Sequence, residues 1–316
     1  MAVIYHGFKR NPIRNWLSAW RKRLPLTWRL RVWKGISQKV MERQLSEGNQ
    51  PLFKSVELET RTRCNSSCSF CAAAIQFDQR PDIRMPEETY LKILDELASL
   101  GYTGNIKFFV NNEPLLDART PQFISWARSQ VPGAKTEVHT NGLKLNARNG
   151  QELLEAGLDI LIINNYSQEG KLHRGVQEFL SETAPKYPNC HIEVHLRQLD
   201  QQLLNRGGTA PNGLKLEKAL PLPCVLPFDE MVVTADGRVS ICCQDHNFAH
   251  VTGNVNHQTL EEIWFGEAFT QVRAELKQGN RQHPLCQGCD FRGYKEEHLN
   301  GSESLRNRLV GDLLQG

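Results

Sequence analysis

Residues 61–71 read Arg-Thr-Arg-Cys-Asn-Ser-Ser-Cys-Ser-Phe-Cys, which places Cys64, Cys68 and Cys71 in the pattern C-x3-C-x2-C. Iron–sulfur cubanes are ordinarily held by four thiolates. Three thiolates leave one iron open to a small molecule, so the spacing suits a cluster that does chemistry. Taken alone, the loop also fits a structural zinc site or unrelated core cysteines. Its neighbours narrow the choice of fold. Ser55-Val56-Glu57-Leu58-Glu59-Thr60 alternates like a strand and runs straight into the loop. Beyond it, Pro86–Leu100 has helical periodicity, with Glu87 and Glu88 in the first turn and Gly101 as a stop. Ile106–Val110 reads as a strand, 121–131 as a helix, Lys135–His139 as a strand and 148–157 as a helix ended by Gly157. Leu158–Ile163 is an apolar strand, 171–184 a helix and Cys190–Leu196 another strand. Such alternation predicts a parallel sheet of right-handed βαβ units. Five or six units are too few for an eight-unit barrel, so the expected fold is α/β, a partial and open barrel.

A parallel α/β barrel carries its chemistry at the C-terminal ends of the strands. The cysteine loop follows strand one of this pattern, and Asn111-Asn112-Glu113-Pro114 follows strand two. Thr140-Asn141-Gly142 follows strand three, and Asn164-Asn165-Tyr166 follows strand four. Four successive polar loops on one rim predict a binding pocket.

A second cysteine set lies in the C-terminal third. Cys224 and Cys242 flank Val232–Val239, a hairpin with an Asp236-Gly237 turn, and Cys286 and Cys289 form a C-x2-C pair after a helix through Leu260–Trp264. Four thiolates of this layout suit an iron–sulfur cluster or structural zinc. Cys243 is a spare thiol beside Cys242, read as a buried neighbour, a substitute ligand or a catalytic thiol, and Cys190 is read as core.

The cysteine loop, with the order of the rim motifs behind it, resembles the signature of the radical S-adenosylmethionine (radical SAM) superfamily. The resemblance covers about residues 55–292. It implies that the Cys64/Cys68/Cys71 cluster chelates SAM at its open iron and cleaves it to a 5′-deoxyadenosyl radical. Asn112, Glu113 and Pro114 stand where the family has Gly-Glu-Pro, which receives the SAM amino group; asparagines replace both glycines of the Gly-Gly-Glu-Pro segment. Thr140 and Asn141 match the family's T-N-G beside the SAM ribose and carboxylate, and Phe70 the residue against the adenine; Asn164, in a rim loop that departs from the aminocyclitol-oxidising relatives, is a further candidate SAM contact. The second cysteine set resembles the Twitch form of the SPASM domain, which implies an auxiliary [4Fe–4S] cluster on Cys224, Cys242, Cys286 and Cys289. The cofactors implied are therefore SAM and two [4Fe–4S] clusters, with a flavodoxin or ferredoxin type reductant. Leu204-Asn205-Arg206-Gly207-Gly208 and Gly253-Asn254…Glu262-Ile263-Trp264 resemble the aminocyclitol-oxidising branch, which implies a substrate contact for Arg206. A guanidinium is not deprotonated in proteins, so Arg206 is read as an electrostatic positioner. Tyr166 is the other catalytic candidate.

The architecture expected is a basic Trp-rich helical extension at 1–54, a partial (β/α)6-type barrel at 55–213, an α+β Twitch/SPASM domain at 214–296 and a tail at 297–316. Residues 1–55 carry twelve Lys or Arg against two Glu, within a chain of net charge +3. They also hold Trp16, Trp20, Trp28 and Trp33, on segments that read as short amphipathic helices cut by Pro25. This arm packs on the barrel, docks an acidic peptide or partner protein, or meets lipid or nucleic acid. Nine cysteines without an export signal predict a reducing, cytoplasmic setting, and no apolar run approaches a membrane span. Since leader peptides are commonly acidic, the arm points to a ribosomally made precursor peptide as substrate, with a leader-recognition partner and no stable nucleic acid. Oxidation of an aminocyclitol or sugar alcohol is the alternative.

Overall fold

The computed structural model describes residues 3–6, 25–46 and 52–295. Strand β1 (Ile4–His6) and helix α1 (Leu26–Ser46) precede the barrel, which runs β2 (Ser55–Leu58), α2 (Glu87–Ser99), β3 (Asn105–Lys107), α3 (Thr120–Gln130), β4 (Lys135–Thr140), α4 (Ala147–Glu155), β5 (Ile160–Tyr166), α5 (Arg174–Glu178) and β6 (His191–Arg197). The C-terminal unit holds α6 (Leu226–Asp229), β7 (Glu230–Val233), β8 (Arg238–Ser240), β9 (Val251–Asn254), α7 (Leu260–Trp264), α8 (Glu267–Lys277) and α9 (Pro284–Gln287).

One sheet joins both units, in the order β1-β6-β5-β4-β3-β2-β7-β8-β9. All pairings from β1 to β7 are parallel, and β7-β8-β9 is antiparallel. The pleat sorts side chains by period two. Val56, Leu58, Ile106, Val138, Leu161, Ile163, Ile192 and Val194 are buried in one core with Tyr90, Leu94 and Phe123 of the covering helices. The alternate positions, Glu57, Lys107, Glu137, His139 and Glu193, line the inner face of the open barrel. The auxiliary unit is therefore an extension of the barrel sheet through β2 and β7.

Several sequence expectations change in detail. Strand β3 stops three residues before Val110, because the Asn112 side chain accepts from the Val110 amide at 2.9 Å and turns the chain. Strand β5 runs on to Tyr166, so Asn164, Asn165 and Tyr166 are strand residues paired with His195, Leu196 and Arg197, not a rim loop. The helix expected over 171–184 begins at Arg174 and continues as a π turn through Phe179–Thr183, ahead of Pro185.

Of the N-terminal extension, the helical reading of residues 15–24, with Trp16 and Trp20, lies outside the described residues, as does the tail at 297–316. Helix α1 begins just after Pro25, as expected. It docks on the auxiliary unit: Ile36, Val40 and Met41 are buried with Val225, Leu226, Phe228 and Ile241, and Gln44 donates to the Phe228 carbonyl at 3.1 Å. Trp33 lies under the guanidinium groups of Arg29 and Arg292. Among the described residues no helix is long and apolar enough to cross a membrane.

Candidate functional site

Of the four motifs predicted to share one rim, three are tied together directly by hydrogen bonds. The Asn141 amide donates to Cys64 Sγ at 3.6 Å and to Asn65 Oδ1 at 2.9 Å. Glu113 is buried beneath them, with Oε1 accepting from Thr140 Oγ1 at 2.6 Å and from the Leu115 amide at 3.1 Å, and Oε2 accepting from the Asn141 amide at 2.7 Å. Its own amide donates to the Arg63 carbonyl at 2.7 Å. Glu113 thus ties the cysteine loop, the NNEP turn and the TNG turn together. Burial pushes its carboxyl up to about 7, and the amide and hydroxyl donors oppose that. A carboxylate offers about four lone-pair sites, so a position remains for an ammonium.

Neither Asn111 nor Asn112 adopts a left-handed backbone, so the turn does not use the conformational freedom of the glycines they replace. Their side chains do other work. Asn112 caps β3, as above. Asn111 is buried, accepts from Arg206 Nη2 at 3.0 Å and donates to the His246 carbonyl at 3.4 Å. Pro114 opens a single 3-10 turn behind Glu113. Phe70 is buried with its ring 5.5 Å from that of Tyr166; burial raises the Tyr166 phenol. Asn164 accepts from Arg197 Nε at 2.8 Å on the same side of β5 as Tyr166. Asn165 points the other way and holds the next loop, bonding the Lys171 carbonyl and the His173 amide.

Arg206 enters from the linker between the units. It and its two followers, Gly207 and Gly208, are all left-handed (φ 52°, 63° and 93°). That conformation is cheap for glycine and costs an arginine about 1 kcal/mol. A Cβ on Gly207 would sit 2.3 Å from Leu285 Cδ1, so the close approach to α9 needs glycine. Asn205 anchors the turn to the C-x2-C knuckle, donating to the Gly288 carbonyl at 2.7 Å and exchanging bonds with Asp290. The result aims Arg206 at the seam, where Nη1 donates to the Cys243 carbonyl at 2.8 Å.

The cysteines fit the clusters expected of them. All nine in the chain are free thiols. Cys64 and Cys68 are pushed up to about 12 and about 11 by burial, and each is raised further by the neighbouring thiols. Cys224, Cys242, Cys286 and Cys289 line one cavity, walled by Leu226, Ile241, Leu285 and Phe291. Arg281, also in that wall and buried, counters the rise at Cys224, Cys286 and Cys289 through its charge. Four thiolates around one space beside a guanidinium suit an anionic, fully ligated cluster. Cys243 turns away, toward Glu57 and Glu230, with the three ligand atoms within 4.8 Å of one another.

A family model for the radical SAM superfamily matches residues 58–164, and one for an iron–sulfur cluster-binding domain, SPASM, matches 224–290. The S-adenosyl-L-methionine-dependent 2-deoxy-scyllo-inosamine dehydrogenase of Niallia circulans is 30% identical over 240 residues, which is 76% of this chain and 93% of that protein. The chain belongs to the radical SAM superfamily. This radical SAM protein is an enzyme of the SPASM type that uses SAM and iron–sulfur clusters and requires an electron donor. The crystal structure of BtrN in complex with AdoMet and 2-DOIA is similar, at TM-score 0.66 and 28% identity over 76% of this chain and 94% of that one. The PqqA peptide cyclase of Granulibacter bethesdensis is 30% identical over 101 residues, 32% of this chain and 26% of that protein.

The sequence reading missed part of the seam. Arg80 bonds Glu59 at 2.8 Å, Asp78 at 2.9 Å and the Asn111 carbonyl at 2.8 Å, and His246 is buried beside it. Only the replacement of glycine by asparagine at 111 hinted at this network. Glu57, one step of the alternation in β2, lies on the inner face of the barrel. It is 2% exposed, with Lys107 and Lys295 each 3.9 Å away. Burial, and next the charge of Glu230, push its carboxyl up to about 7 from 4.5. Between those values the folded chain holds more protons than the unfolded one, so this group makes stability fall as pH rises, with the loss complete above pH 7. Glu57→Gln is therefore expected to gain in stability relative to the parent as pH rises from 4.5 to 8. Urea denaturation at both pH values reads this, and a gap that does not widen with pH contradicts it.

Proposed function

We propose that this enzyme oxidises a secondary alcohol on a small polar substrate, of the aminocyclitol or sugar class, to the ketone. The observation that carries the reading is the placement of Arg206. It projects from the linker turn that Asn205 anchors on the auxiliary-domain knuckle to the first residue of the NNEP turn, and so stands between the two cluster sites. The dehydrogenase relative, matched over 93% of its length, supports the same class. The inner face of the barrel, with Glu57, Lys107, Glu137 and Glu193, suits a substrate rich in hydroxyl or amino groups. The precursor-peptide expectation rested on the basic arm as a docking surface. Within the described part of that arm, β1 pairs with β6 and α1 buries Ile36, Val40 and Met41 against the auxiliary unit, and the peptide cyclase is matched over only 26% of its length.

In this reading Cys64, Cys68 and Cys71 hold the SAM-binding cluster, and Cys224, Cys242, Cys286 and Cys289 hold an auxiliary one. Bound SAM and its cluster supply the deoxyadenosyl radical that removes a hydrogen atom. Glu113, Asn112, Pro114, Thr140, Asn141, Asn164 and Phe70 fix SAM in one pose, which matters because the radical must form beside one C–H bond. Arg206 offers further N–H donors beyond the two it uses at the seam, and these orient the substrate oxygen. Tyr166, beside Phe70, closes the pocket against water. A flavodoxin or ferredoxin type protein supplies the electron.

The test is anaerobic incubation of the reconstituted enzyme with SAM, dithionite and a panel of cyclitols and sugar alcohols headed by 2-deoxy-scyllo-inosamine, with short peptides run alongside. A ketone formed with about one 5′-deoxyadenosine per turnover is expected. A mass change in a peptide, with no ketone from any alcohol, overturns the reading.

A further inference from the structure

Alcohol oxidation releases a proton as well as a hydrogen atom and an electron, and the guanidinium of Arg206 cannot take it. At the seam the Glu59 and Asp78 carboxylates are paired to Arg80, and His246 is an uncharged group that can. His246 lies on the auxiliary-domain loop after Cys242, 3% exposed. Its backbone carbonyl accepts from Asn111, the residue that also receives Arg206. Its ring bonds the Ala72 backbone, next to the last cysteine of the SAM-side loop. Its Nδ1 is buried with no partner. A buried acceptor without a donor is costly, by about 1–3 kcal/mol in typical cases, and a ligand hydroxyl would satisfy it. Three charged groups bear on the ring: Arg80 and Arg206, which disfavour its protonation, and Asp78, which favours it. At neutral pH the imidazole is therefore uncharged and Nδ1 is a free lone pair.

We propose that His246 Nδ1 receives the proton of the substrate hydroxyl, with Arg206 orienting the same oxygen. The proposal rests on the alcohol-oxidation reading above. The carbinol C–H bond breaks and its hydrogen atom goes to the deoxyadenosyl radical. The O–H bond breaks and its proton goes to Nδ1. One electron leaves for the auxiliary iron–sulfur cluster as the C=O π bond forms. Burial and the two guanidinium groups push His246 down to about 3, which makes it a weak base for an alcohol. After the hydrogen atom is lost, the hydroxyl of the carbinol radical becomes strongly acidic as the electron departs, so proton and electron leave together and a weak base suffices. The imidazolium, disfavoured by the charges of Arg80 and Arg206, then gives the proton up readily.

His246→Asn and His246→Ala separate proton acceptance from structure. An asparagine amide can keep both a donor toward Ala72 and an acceptor toward the hydroxyl, yet it is no base. The reconstituted holoenzymes are compared using 2-deoxy-scyllo-inosamine deuterated at the carbinol carbon. For His246→Asn, equilibrium binding to the unreduced enzyme is expected to stay within about threefold of the parent, and the 5′-deoxyadenosine formed per ketone to rise about a hundredfold. A substrate-carbon radical should accumulate in freeze-quenched EPR samples. For His246→Ala, binding should also weaken about three- to tenfold. A His246→Asn enzyme that keeps the parent ratio and shows no trapped radical overturns the proposal and leaves the alcohol reading standing. A parent enzyme that forms no ketone from any alcohol of the panel overturns both.

Discussion

Cys71→Ala is expected to form no measurable 5′-deoxyadenosine, a loss of at least about a thousandfold, because the proposed function gives the radical-forming step wholly to the cluster assigned to Cys64, Cys68 and this thiolate. Two remaining thiolates, Cys64 and Cys68, cannot grip a cubane that already has one corner free. The loop itself should survive. It is pinned by backbone bonds outside the thiol, from the Ser69 amide to the Leu199 carbonyl at 2.9 Å and from the Ile75 amide to the Ser66 carbonyl at 3.0 Å. Iron per chain should fall from about eight to about four, since the four thiols around the auxiliary cavity are untouched. Cys190→Ala is the contrasting variant. That thiol is buried in the barrel core, and its loss should leave iron and sulfide unchanged. Iron analysis, EPR before and after SAM addition, and chromatography of the nucleoside read the three effects separately. A Cys71→Ala enzyme with full iron that still makes deoxyadenosine contradicts the assignment of the loop.

The parts of this site legible in the sequence are those set by local spacing. C-x3-C-x2-C, Glu113-Pro114 and Thr140-Asn141-Gly142 each occupy a few consecutive residues, and the period-two and helical patterns between them place each after its strand. What escaped depends on tertiary position. Glu57 and Leu58 are neighbours in one alternating strand, and which of them faces a polar barrel interior is set by curvature, not by the alternation. Asn164 and Asn165 look equivalent in sequence, but the extra three residues of β5 send them to opposite faces. Arg206 and Asn111 are 95 positions apart, and His246 reaches the same point from the auxiliary unit, so no window of sequence contains that junction. Helix α8 is a different case: Phe269, Val272, Arg273 and Leu276 are its buried face, a plain helical period masked by a buried arginine in the apolar stripe.

That buried arginine belongs to the joint between the two units, where Trp264→Ala is expected to cost about 3–5 kcal/mol. Trp264 is fully buried. Its ring meets Phe53, just before β2, edge-on at 5.2 Å and Phe269 at 5.1 Å. The Arg273 guanidinium lies 3.9 Å from the ring centroid, while its Nε donates to the Pro227 carbonyl at 2.7 Å. Burial lowers Arg273 to about 10, and the aromatic rings of Trp264 and Phe269 compensate a cation held out of water. Truncation therefore removes aromatic area, leaves a cavity and uncovers one side of a buried charge, which puts the loss at the upper end of the usual range for a core tryptophan. Trp264→Phe keeps a ring over Arg273 and should lose roughly half as much. Urea denaturation under anaerobic conditions measures both. A Trp264→Ala loss below about 1 kcal/mol would show that the barrel and the auxiliary unit are joined by the shared sheet alone, and that the aromatic stack adds little to it.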